Sequence, residues 1–163
     1  MTIPQQMVMY EEEFKQISAL IMRLNREANS KAVFLVDKNG QLIASAGETF
    51  NIDSTSLASL TAGNIAATGG LAKLIGEREF SILFHEGEKD NIHISVIGQR
   101  VILVVIFDER SSLGLVRLRV KKASQELDSV FISLTSRVER PGTASPFAEI
   151  SDDDIENLFK GGR

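Results

Sequence analysis

Cysteine and tryptophan are both missing from this 163-residue chain, and proline occurs only three times. Without cysteine there is no disulfide framework, no thiolate metal ligand and no thiol nucleophile. Aromatics are scarce, with nine Phe and one Tyr, so the stacking platforms that single-stranded nucleic acids need are thin. The formal net charge is −4, and the broad basic surface that grips phosphate backbones is lacking as well. The opening MTIPQQMVMYEEEF carries no basic region followed by an apolar run, hence no secretory signal. The expectation is a cytoplasmic protein that neither inserts into a membrane nor binds nucleic acid.

What is present supports one globular domain, with 43% hydrophobic and 25% charged residues. Phe14, Ile17, Ile21 and Leu24, with Leu20 beside them, recur at helical spacing and predict a helix from about 9 to 29, with Glu11, Glu12 and Glu13 in its first turns. KAVFLVD (31–37) and QLIASA (41–46) flank Asn39–Gly40, a strong hairpin signal because both turn residues tolerate positive φ. Asp53, Ser54 and Ser56 are N-cap candidates for a second helix that runs to about Ile75, before Gly76. EFSILFHEG (79–87), NIHISVIG (91–98) and RVILVVIFD (100–108) read as an antiparallel meander. The last of these is almost continuously apolar, as a strand covered on both faces should be. Val116, Val120, Ala123, Leu127, Val130 and Leu134 predict a long amphipathic helix from about 113 to 137.

The order α-β-β-α-β-β-β-α predicts an α+β fold, a five-stranded, mostly antiparallel sheet with helices on both faces. This domain spans residues 1–138. ERPGTASP (139–146) holds two of the three prolines and reads as a linker. The remainder of 139–163 is a short acidic segment, six acids against three bases over the whole stretch. Ser151 and Asp154 resemble a capping box, and Ile155, Leu158 and Phe159 form an apolar edge at i, i+3 and i+4. A helix of that length is too short to stand alone and is built to fold onto something.

The second helix carries the most informative stretch, LTAGNIAATGGLAKL (60–74). GNIAATGG lacks the GK[ST] of a phosphate-binding loop and the G-x-G-x-x-G of a dinucleotide fold. Its Ser, Thr, Asn and Gly content argues against a membrane span. Ala58, Ala62, Ala66 and Gly70 lie four residues apart, with Gly63 and Ala67 alongside, and form a smooth track that another backbone can approach. The expectation places Leu57, Leu60, Leu71, Leu74 and Ile75 against the chain's own sheet. Two readings stay open, a tightly packed internal helix and an intermolecular interface.

Catalytic groups are thin. His85 and His93 are the only histidines, and strand histidines most often face solvent. No G-x-S-x-G elbow activates a serine. Asp152, Asp153 and Asp154 lack the spacing of a calcium loop. No catalytic residue, metal or cofactor is expected. Arg117, Arg119, Lys121 and Lys122 form a basic patch at the start of the last helix, read either as a solvated face or as a docking point for an acidic partner.

With that element order, VFLVDKNGQLIAS (33–45), SLASLTAGNIAATGGLAKLIGE (56–77), VILVVIFDERSSLGLVRLRVKKAS (101–124) and SPFAEISDDDIENLF (145–159) resemble the Roadblock family of longin-like dimeric domains. Within it, they resemble the group of MglB-type bacterial polarity and motility regulators. The resemblance implies a homodimer in which third strands pair across a two-fold axis and second helices lie side by side. It implies a partner, a GTP-bound Ras-like GTPase of the MglA type, activated without an arginine finger, and a cell pole as the place of action. Carried onto this chain, the GTPase-binding and dimer helix would use Ala58, Thr61, Ala62, Asn64, Ile65, Ala66, Gly69, Gly70 and Lys73. Arg117 and Lys121 would offer the basic patch. Phe147, Ile150, Ile155, Leu158 and Phe159 would contact the GTPase from the tail and modulate nucleotide exchange.

Overall fold

The computed structural model describes residues 5–138. Three helices and five strands follow in the expected order. They are α1 (Gln5–Glu27), β1 (Ala32–Asp37), β2 (Leu42–Gly47), α2 (Ser54–Leu74), β3 (Ile82–Glu86), β4 (Asn91–Ile97), β5 (Val101–Phe107) and α3 (Leu113–Val138). The strands form one sheet in the order β2-β1-β5-β4-β3, and every pairing is antiparallel. β5 lies at the centre and all seven of its residues are buried, as its unbroken apolar run requires.

Side-chain alternation divides the core in two. Val33, Leu35, Leu103 and Val105 point to one face, where α1 and α3 cover them with Ile17, Ile21, Leu24, Val116 and Leu127. Phe34, Val36, Ile102, Val104 and Ile106 point to the other, where α2 contributes the fully buried Ala58. Arg23 of α1 pairs with Glu126 of α3, and Arg119 reaches Glu27 at 4.0 Å, both across the α1–α3 seam.

Local details bear on the sequence-based expectation in three places. α1 is already helical at Gln5, so Glu11, Glu12 and Glu13 fall further in than its first turn; Glu13 is buried while Phe14 is 52% exposed. LGLVRLRV is helical, as continuity with the rest of α3 predicts. The β1–β2 turn places only Gly40 at positive φ, +89°, and Asn39 not. Asp37 carbonyl accepts from Gly40 N–H at 3.1 Å, and its Oδ1 accepts from Asn39 and Gln41 N–H at 2.9 Å. This is the longer hairpin in which a turn precedes one left-handed residue.

Candidate functional site

Asp53 caps α2. Its carboxylate accepts from Ser56 N–H at 3.1 Å and from Ser56 Oγ at 2.7 Å, and these bonds hold its pKa below the ordinary value. At the other end, Glu77 N–H reaches Ala72 carbonyl at 2.8 Å and Gly76 N–H reaches Lys73 carbonyl at 3.3 Å, with Gly76 at φ +79°. That is a Schellman stop. Between the caps the helix lies over the β1–β2 side of the sheet.

The orientation of α2 bears out the expectation for Leu57, which packs on the α2-side core, and reverses it for Leu60, Leu71, Leu74 and Ile75. Leu60 is 73% exposed, Leu71 60%, Leu74 83% and Ile75 68%, whereas Leu57 is half-buried. Small residues face inward alongside Leu57 and Ile65. Ala58 and Thr61 are buried, and a Cβ on Gly40 would meet Ser59 Cα at 3.2 Å and Ala62 Cβ at 3.5 Å. The first half of the track therefore serves close packing of α2 on the β1–β2 turn, where a larger side chain would lift the helix away. Ala58 is accordingly corrected from a partner-facing to an internal position, and Thr61 is buried except where it borders the second groove.

The second half of the track is different. A Cβ on Gly63, Gly69 or Gly70 would meet nothing within 4 Å. Each glycine in a helix interior costs about 1 kcal/mol relative to alanine, and no contact among the described residues makes use of the missing side chain. Ala62, Ile65, Ala66, Gly69, Gly70 and Lys73 line an open groove of about 470 Å³. Its other walls come from Lys38 in the β1–β2 turn, Arg78 and Glu79 after α2, Gln99 in the β4–β5 turn and Ile102. Sequence reasoning missed Lys38, Arg78 and Gln99, since loop residues far apart in the chain carry no periodic signal. The positive φ of Gln99, +58°, marks a backbone held by its surroundings.

On the opposite flank, Leu57, Leu60, Thr61 and Asn64 border a second groove of about 380 Å³ above Ile92, Ile94 and Val104. Asn64 Nδ2 lies 3.2 Å from His85 Nε2 there, and Asn64 carbonyl accepts from Thr68 Oγ1 at 2.6 Å. Arg117 and Lys121 sit exposed on α3, across the sheet from both grooves. Phe147, Ile150, Ile155, Leu158 and Phe159 lie outside the described residues. Arg110 is bound by its own chain, with Asp108 at 3.0 Å and Glu48 at 3.7 Å.

The two histidines diverge. His85 is exposed beside α2, while His93 points to the α1–α3 face and is only 1% exposed. A shared metal site is thereby excluded by geometry, and His93 is corrected from a solvent-facing to a core residue. It pairs between Phe84 of β3 and Val105 of β5, and neither ring nitrogen has a hydrogen-bond partner among the described residues. Burial, with the Arg117 charge second, lowers its pKa below the ordinary value of 6.5. The unfolded chain then binds the proton more readily than the folded one. Stability from the neutral ring is complete above about pH 6.5 and declines as pH falls from there towards the folded-state pKa. Urea midpoints measured from about pH 7.5 down to about pH 5.5 should fall for the native chain and fall less for His93→Phe. Equal slopes for the two proteins would refute the assignment.

No helix among the described residues is long and apolar enough to cross a membrane, and among those residues no three His, Asp or Glu converge as a metal site. The Roadblock/LC7 domain family matches residues 17–107. Myxococcus xanthus MglB is 68% identical, aligning over 74% of this chain and 98% of its own, with a TM-score of 0.72. The gliding protein MglB of Thermus thermophilus is 31% identical over 74% of this chain and 92% of its own, with a TM-score of 0.70. An MglB described with a tetrameric arrangement is 30% identical over 74% and 91%, with a TM-score of 0.68. A fold of three helices on a five-stranded antiparallel sheet, matched across this span, makes the chain a member of the Roadblock/LC7 family, similar within it to MglB.

Proposed function

We propose that this protein is a homodimeric activator of a Ras-like small GTPase of the MglA type, acting in cell polarity or motility without a chemical active site of its own. The observation that carries this reading is the outer surface of α2. Four large apolar side chains stand in solvent there, beside three helical glycines whose cost nothing among the described residues offsets. A second copy and a GTPase are the partners that such a surface suits: one covers the leucines, the other approaches the glycine-lined groove. Self-association is supported by the tetrameric arrangement described for one similar MglB. Activation would proceed by selecting the catalytic state of the GTPase, since no arginine here is nominated as a finger. The acidic tail would modulate nucleotide exchange.

Single-turnover GTP hydrolysis by the cognate GTPase should accelerate at least about tenfold at saturating protein, equivalent to about 1.4 kcal/mol of barrier. Ala66→Arg or Gly70→Arg should abolish the effect by filling the groove, with the dimer intact. No acceleration with demonstrable binding would instead favour a scaffold that recruits the GTPase or a motor component without changing turnover.

A further inference from the structure

We propose that the acidic segment 151–159 docks into the basic groove beside α2 of its own chain, covering the surface that a GTPase would use. The competitive consequence rests on the functional reading above; the docking itself does not.

Charge is the first argument. Lys38, Lys73 and Arg78 stand exposed on the groove, and among the described residues none has a carboxylate within ion-pair distance. Glu79 is the single acid of the lining. The segment offers Asp152, Asp153, Asp154 and Glu156. Shape is the second. The floor of Ala66, Gly69 and Gly70 with Ile65 and Ile102 is shallow and apolar, which suits a short helix presenting Ile155, Leu158 and Phe159 on one edge.

The third argument is the position of the last turns of α3. Arg100 in the β4–β5 turn donates from Nη1 to Thr135 Oγ1 at 2.8 Å and to Phe131 carbonyl at 3.2 Å. Gly98 of that turn is so close to α3 that a Cβ there would meet Asp128 Oδ1 at 2.5 Å. Gln99, between them, lines the groove. The last described turn of α3, from Thr135 to Val138, is thus tied through Arg100 to the turn that carries Gln99. Residues 139–150 then span up to about 40 Å if extended, ample to round the end of the sheet. A tether of that length supplies a local concentration on the order of millimolar, so a contact too weak to hold a free peptide holds this one.

The test uses the full chain. Because it has no cysteine, Lys160→Cys accepts a single nitroxide label. Amide signals of Ala66, Gly69, Gly70 and Lys73 should be broadened relative to the reduced label. Lys73→Glu with Arg78→Glu should remove the broadening, and adding Asp152→Lys with Asp154→Lys should restore it. Absence of broadening at these amides, or indifference to charge reversal, overturns the docking whatever the hydrolysis assay gives. Broadening that arises only between labelled and isotope-enriched copies in a mixed sample overturns the same-chain occupant in favour of a second copy's tail. A negative hydrolysis assay, by contrast, overturns the GTPase reading and leaves the broadening experiment standing.

Discussion

Phe34→Ala is expected to lower the stability of the folded chain by about 3–5 kcal/mol, a large part of the roughly 5–15 kcal/mol of an ordinary domain. Phe34 heads the fully buried side chains by volume. It stands on β1 between Ser45 of β2 and Val104 of β5, within the α2-side cluster. Its neighbours there, Ile94, Ile102 and Ile106 of the sheet with Leu57 and Ile65 of α2, are held by strand pairing and helix packing and relax only partly into the space a truncation leaves. The cost is the lost transfer of the ring from water plus the residual cavity. Urea denaturation should show a lower midpoint with an unchanged slope. Phe50→Ala is the matched control, since Phe50 is 83% exposed, and its effect should stay within about 0.5 kcal/mol. Similar losses for the two variants would mean that the ring of Phe34 is not the core element described above.

Gly47→Val should be comparably severe through a different cause. Gly47 closes β2 at φ +86°. A Cβ there would lie 2.5 Å from Lys31 carbonyl oxygen and 2.7 Å from Asn25 Nδ2. Lys31 carbonyl already accepts from Glu48 N–H at 2.8 Å, and Lys31 N–H donates to Ile106 carbonyl at 2.8 Å. The carbonyl is thus fixed by the sheet and cannot swing aside. The left-handed conformation alone costs a residue with a β-carbon about 1–2 kcal/mol, and overlap with backbone adds to it. Each kcal/mol lowers Tm by about 2–4 °C in a chain of this size. Gly63→Ala, on a helix with open space around it, should instead raise Tm slightly. If Gly47→Val melts with the native chain, the close approach of β2 to Lys31 is not as described.

The positions of the elements were legible in the chain because the signals are local. The unbroken run of β5 announced its burial, Asp53 with Ser56 announced a cap, and Asn39–Gly40 announced a hairpin even though only Gly40 takes positive φ. β4 shows where such reasoning stops. Ile92, Ile94 and Val96 alternate with polar residues, which predicts one wet face. Yet His93 and Ser95 are buried, because β4 lies inside the sheet and α3 packs on that face.

The same boundary divides the candidate surface. Length, composition and the element order sufficed for the fold class, and the stretches 33–45, 56–77, 101–124 and 145–159 carried the family resemblance. All of these are properties of residues near one another in sequence, where period 2, period 3.6 and cap chemistry operate. The direction in which α2 turns its leucines was beyond that reach. Small and large apolar residues are spread around the whole helix, so no stripe states a preference. The choice was made by the β1–β2 turn, where Gly40 lets Ala62 and Ser59 approach to van der Waals distance and leaves Leu60, Leu71 and Leu74 outside. The basic groove likewise exists only once Lys38, Lys73, Arg78 and Gln99 are brought from four separate segments to one place. Local pattern determined which elements form; packing between distant surfaces decided which faces remain for a partner.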